Sequence, residues 1–63
     1  MEKLLYTTDE AAEVLAISQR QVFHLLSKAE IESILIGRSR RIPRQALEQY
    51  VERVRAQFRE EVA

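Results

Sequence analysis

Apolar positions along the chain fall into three helical stretches and one stretch of β character. Ala11, Ala12, Val14 and Leu15 follow the polar run Thr7-Thr8-Asp9-Glu10. That run is a capping box, in which Thr7 accepts from the third backbone N–H and Glu10 reaches back to that of Thr7. Asp9 places negative charge in the first turn, where the helix dipole favours it. The pattern predicts a short helix over about residues 8–15. Ser18-Gln19-Arg20-Gln21 repeats the box and opens a second helix, to about Lys28. Ala16 and Ile17 leave room only for a tight turn, with Ile17 buried. Two helices joined this closely make a helix-turn-helix.

At about 100° per residue, Val22, Leu25, Leu26 and Ala29 cluster on one side of the second helix. Arg20, His24 and Ser27 lie opposite. Phe23 and Gln19 border one flank, Gln21 and Lys28 the other. Ser33-Ile34-Leu35-Ile36 is rich in β-formers. Gly37-Arg38-Ser39 reads as a turn and Arg40-Arg41-Ile42 as a return strand. This two-stranded wing is expected to turn Ile34, Ile36 and Ile42 inward and Leu35 outward. Pro43 suits a helix start, where its missing N–H is not needed. Leu47, Tyr50, Val51, Val54 and Phe58 then follow at helical spacing, predicting a third helix over about residues 44–60. Glu60 and Glu61 oppose the dipole at its end, so fraying is expected after Phe58. Tyr6 and Tyr50 are expected in the core.

The chain has 63 residues, which allows one domain, with its core over about residues 6–58. It has no Cys and one His, so disulfides and a Cys/His metal set are excluded. So small a core leaves little material for a walled substrate pocket. No nucleophile–base pair, phosphate loop or catalytic residue is evident, and neither an enzyme nor a cofactor is expected. The Glu10/Glu13 pair reads as a cap and a solvated face. No run is long enough to span a membrane. The Met-Glu-Lys-Leu-Leu start lacks the features of a signal peptide.

Net charge is zero, yet the charges are not spread evenly. Residues 1–17 carry −3, residues 18–45 carry +4 and residues 46–63 carry −1. The basic middle holds the second helix and the wing. For a polyanionic partner, clustering on one surface matters more than the total.

The order helix, turn, helix, wing, helix is that of a small α+β winged helix-turn-helix. Thr7, Glu10-Ala11-Ala12, Ser18, Val22-Phe23, Ile36-Gly37-Arg38, Arg41-Ile42-Pro43-Arg44 and Leu47 together resemble the excisionase-type DNA-binding domains, relatives of the MerR-type module. The resemblance runs from about Tyr6 to Val51. Ala16 and Ala29 depart from it, standing where Gly is common, as do Glu32 in place of Pro and Arg40 in place of an aromatic. A left-handed Ala29 would cost on the order of 1 kcal/mol relative to Gly.

The resemblance implies binding of double-stranded DNA, with the second helix in the major groove. Arg20 is the foremost candidate base reader, its fork matching guanine O6 and N7. Gln19 and Gln21 suit adenine or a phosphate. His24 and Ser27 continue the same stripe, and Ser18 and Lys28 suit the backbone. Arg38, Ser39, Arg40 and Arg41 form a basic wing suited to a minor groove. Ser18 also reads as a plain helix cap, His24 as an exposed side chain and Phe23 as a residue at the core's border. The implied role is that of a recombination directionality factor. It binds near an attachment site, bends the DNA and assists an integrase in excision. Cooperative self-association on DNA accompanies that role; no small-molecule effector does. Its setting is the cytoplasm of a bacterium, encoded by the host or a phage and acting at the nucleoid. Two rivals stand beside it. One is a small transcriptional regulator with the same reader. The other is a protein-interaction module or antitoxin-like adaptor using the third helix.

Overall fold

The structure is a computed structural model that describes residues 3–62, with side chains through residue 59. Met1, Glu2 and Ala63 lie outside it, as do the side-chain charges of Glu60 and Glu61. The elements run β1 (Leu5–Tyr6), α1 (Thr8–Leu15), α2 (Gln19–Ser27), β2 (Ile34–Ile36), β3 (Ser39–Pro43) and α3 (Arg44–Val62). This is a winged helix-turn-helix.

Both predicted capping boxes form. Thr7 Oγ1 accepts from Glu10 N at 3.2 Å while Glu10 Oε1 accepts from Thr7 N at 3.0 Å. Ser18 Oγ accepts from Gln21 N, and Gln21 Oε1 from Ser18 N, both at 3.1 Å. α1 and α2 are each followed by a left-handed alanine: Ala16 and Ala29 both have φ 59°. At Ala16, Ile17 N bonds Ala12 O and Ala16 N bonds Glu13 O. At Ala29, Glu30 N bonds Leu25 O and Ala29 N bonds Leu26 O. These paired bonds make two Schellman motifs, which satisfy the last carbonyls of each helix. Glycine is absent from both, so each alanine holds a backbone geometry its Cβ disfavours.

The sheet has three strands among the described residues, in the order β1-β3-β2, not the two that the wing alone predicts. β1 pairs antiparallel with β3, Leu5 opposite Pro43 and Tyr6 opposite Ile42. Two residues are too few for an alternating pattern to announce a strand. Pro43 is the last residue of the central strand, not the first of the helix. β2 stops at the Ile34–Arg41 pair, so no β2 residue stands beside Pro43 to need its N–H. Helix α3 starts at Arg44, whose N–H bonds Leu4 O at 2.9 Å. The chain's beginning thus satisfies one of the donors that a helix start leaves open. α3 continues to Val62, two residues past its expected end, and is helical across the turn after Phe58 where fraying is expected.

The core comprises Ala11, Ala12, Val22, Ile31, Ile42, Ala46 and Leu47. Tyr6, Leu15, Ile17, Leu25, Leu26 and Tyr50 pack around it half-buried. Ile31 is the addition that periodicity did not reveal. It stands alone between Glu30 and Glu32 in the link from α2 to β2, and it closes the core there. Arg53 ties the same link to α3. Its guanidinium donates to the Glu30 carbonyl and lies 6.0 Å from the centroid of the Tyr50 ring. Among the described residues no helix is long and apolar enough to cross a membrane.

Candidate nucleic-acid interface

Helix α2 is fixed at its start and open along one side. Val22 is fully buried and Leu25 and Leu26 are half-buried, as predicted, whereas Ala29, expected on the same side, is exposed past the end of the helix. The other side carries Arg20, His24, Ser27 and Lys28, all exposed. Arg20 and His24 are four residues apart and share a face. Neither makes a side-chain hydrogen bond or ion pair among the described residues, nor does Lys28. Ser27 Oγ donates to the His24 carbonyl at 2.7 Å.

The remaining predicted residues of this helix have structural duties. Ser18 and Gln21 hold the capping box. Gln19 Nε2 donates to Thr8 Oγ1 at 3.2 Å and binds the start of α2 to the start of α1. These bonds order the helix start and tie it to α1. The side chains that fix it differ from those left pointing outward. Phe23, expected at the core's border, is 53% exposed. It lies three residues beyond Arg20 on the open side.

The wing is a tight hairpin. Ile36 pairs with Ser39, which leaves a two-residue loop of Gly37 and Arg38 and places Ser39 in β3, not in the turn. Gly37 has φ 63°, while Arg38 keeps a negative φ. Positive φ at the first loop residue alone is the pattern of a II′ turn, which suits glycine there. The register corrects the predicted wing faces. Ile34 and Ile36 pair with Arg41 and Ser39, whereas Leu35 pairs with Arg40. Side chains alternate along each strand, so Ile42 shares its face with Arg40 and Leu35, not with Ile34 and Ile36. Ile34 is half-buried. Ile36 is 55% exposed and Leu35 60%, because the hairpin tip extends beyond the core.

Arg38, Ser39 and Arg40 are exposed and Arg41 is half-buried. Arg40 Nη1 donates to Ser33 Oγ at 2.6 Å, and Arg41 Nη1 to the Arg40 carbonyl at 2.8 Å. Arg38 at the tip has no such partner among the described residues. The candidate residues are thus partner-free cations on α2 and a hairpin tip that is basic and apolar together. Phe23, Leu35 and Ile36 are the apolar members of the set. Of these, sequence reasoning marked only Leu35 as outward. Counting the hairpin register outward from Gly37 would have found Ile36.

Glu10 lies apart from this face. Its carboxylate is held below the usual range, first by the Lys3 ammonium that donates to it and then by the Thr7 backbone N–H. Among the described residues no group of three or more His, Cys, Asp or Glu side chains could hold a metal ion.

Residues 5–55 match the model of a helix-turn-helix domain family. The chain is also similar to a protein of Saccharopolyspora erythraea described as a probable excisionase, at 44% identity over 55 residues. That alignment covers 87% of this chain and 56% of the relative, so the chain spans little more than half the relative's length. No solved structure matches the chain.

Proposed function

This chain belongs to the helix-turn-helix domain family, and from that premise we infer that it binds double-stranded DNA as an excisionase-type accessory factor. The observation that carries the reading is the division of labour on α2. Ser18, Gln19 and Gln21 fix the helix start, while Arg20, His24 and Lys28 project without intramolecular partners. A helix so held suits the major groove, where donor and acceptor patterns distinguish the base pairs.

Arg20 reads a guanine in this arrangement, and His24 reads the neighbouring step. Phe23 suits contact with a thymine methyl. Ser18, Gln19, Gln21, Ser27 and Lys28 sit against the backbone or at the margin. The wing's Arg38, Ser39, Arg40 and Arg41 enter or flank the adjacent minor groove. Ile36, beside the turn, can wedge a base step there, and such insertion kinks DNA. The protein itself performs no chemistry. Its partner is an integrase, whose excision reaction the bent DNA favours, and neighbouring copies bind DNA cooperatively. The relative's description favours this over a small transcriptional regulator, which would use the same reader.

The test is a gel shift on DNA flanking the coding region, across a salt series and against random competitor. Retained binding in excess random DNA, with a ladder of complexes at a regular repeat, is the expected result. Equal affinity for random DNA would refute specific recognition. Strictly non-cooperative binding on multi-site DNA would remove cooperation between neighbours.

A further inference from the structure

Helix α3 carries an apolar stripe that the rest of the domain does not cover. Leu47 is buried, but Val51, Val54 and Phe58, at i, i+3 and i+7, are 39%, 42% and 63% exposed. α3 is 19 residues long, about 28 Å at 1.5 Å per residue. The whole molecule measures 44 Å along its longest axis, and the helix extends beyond the body that Tyr50 caps. At the root of the stripe a groove runs between α1 and α3, with Tyr6, Val14, Leu15, Leu47 and Val51 as its apolar lining and Arg44, Glu48 and Glu52 as its charged lining. Continuous exposed apolar surface rimmed by charge marks an interaction site.

We propose that a second copy of this chain covers it, packed antiparallel along α3 about a two-fold axis near Val54. The charges select this occupant. At about 100° per residue, Glu48, Glu52, Arg55 and Arg59 all fall on one flank of the stripe. The flank is acidic towards the helix start and basic towards its end. A two-fold axis sets one flank against the same flank reversed. Glu52 then meets Arg55 of the other copy, Glu48 meets Arg59, and symmetry repeats both. The same operation brings Val54 against itself and carries Phe58 to Val51 and the groove of the other copy. A parallel pairing would instead set this flank against the opposite one, where Tyr50 and Gln57 offer no complementary charge. Within one chain, Arg55 pairs with Glu52 at 3.0 Å and Arg44 with Glu48 at 3.8 Å, all on exposed or half-exposed side chains. Exposed pairs of this kind are weak, so exchanging them for intermolecular partners costs little. The stripe supplies the apolar centre and the flank its polar rim.

Neither the stripe nor its flank belongs to the proposed DNA-binding set. The two proposals therefore fail separately. The experiment is sedimentation equilibrium of the whole chain, without DNA, from low micromolar to millimolar concentration. A reversible doubling of mass is expected. Phe58→Ser, Glu52→Arg and Arg55→Glu should each weaken association by about tenfold or more, with unchanged helical circular dichroism. The combined E52R/R55E variant should return to within about threefold of the parent, because the reversed charges again meet opposite charges. A monomer at every concentration overturns the proposal. So do a dimer indifferent to Phe58→Ser, a double reversal that fails to recover, and a mass that grows past two copies.

Discussion

Arg20 and Lys28 are both unpaired cations on α2, yet they should fail differently when truncated. A side chain bidentate to a base edge discriminates between sequences, whereas one on a phosphate attracts every sequence alike. Arg20→Ala should cost about 1–3 kcal/mol on the preferred site and leave random-DNA affinity nearly unchanged. Lys28→Ala should lower both affinities together and reduce the salt slope by about one. Competition binding with both DNAs separates the two; matching losses for the two variants would deny Arg20 its role. The left-handed alanines belong to the same scale. Ala29→Gly removes a Cβ from a positive-φ position and should stabilise the domain by about 0.5–1 kcal/mol, raising the melting midpoint by several degrees. An unchanged or lower midpoint would mean that glycine's greater unfolded-state entropy cancels the relief. Glu10 gives a third expectation at this scale. Its folded pKa lies below its unfolded one, so its contribution is present above the unfolded pKa and is lost as pH falls through the folded value. Glu10→Gln should therefore flatten the acid side of the stability–pH curve and leave the region above neutrality flat. Thermal melts across pH measure it.

The elements show what local pattern could and could not reveal. The starts of α1 and α2 were legible because each cap is a local motif, four residues that name their own hydrogen bonds. Three features needed knowledge of distant partners. β1 is too short to show a period and exists because β3 lies beside it. Ile31 has no apolar neighbour in sequence and gains its burial from the packed helices. The face of Ile36 depends on the hairpin register, since a shift of one residue reverses every side chain. The candidate site divides in the same way. The open face of α2 followed from helical periodicity, whereas the duties of Gln19 and Gln21 depend on contacts that composition does not show. The wing's exposed apolar tip is where register bears on function. Ile36→Ser removes an exposed side chain, so stability should change by less than about 0.5 kcal/mol. Circular-permutation gel assays should nevertheless show a reduced bend angle, with specificity retained through α2. A full bend with serine at position 36 would assign the bending elsewhere, or to none of the wing's apolar residues.

At the scale of the whole molecule, zero net charge and attraction to DNA are compatible because the charges are separated. The acidic beginning of the chain, the basic α2 and wing, and the mixed α3 spread over a body of 44 × 27 × 17 Å. The Debye length at physiological salt is only about 8 Å, so charges on far parts of this surface do not cancel for a bound duplex. In the proposed binding mode the duplex would meet Arg20, Lys28, Arg38, Arg40 and Arg41. With about 4–6 phosphates neutralised, log K should fall against log salt with a slope of roughly −4 to −5 for each bound copy. The slope should be the same for specific and random DNA, because backbone contacts dominate it, while the offset between the two lines measures base reading. Lowering salt should accelerate association only modestly, since the neutral total gives little long-range steering. Arg38→Ala should make the slope shallower by about one if the wing tip touches a phosphate. A parent slope near −1 would show that the basic face is not what meets DNA, and the winged helix-turn-helix would then have to act through protein contacts instead.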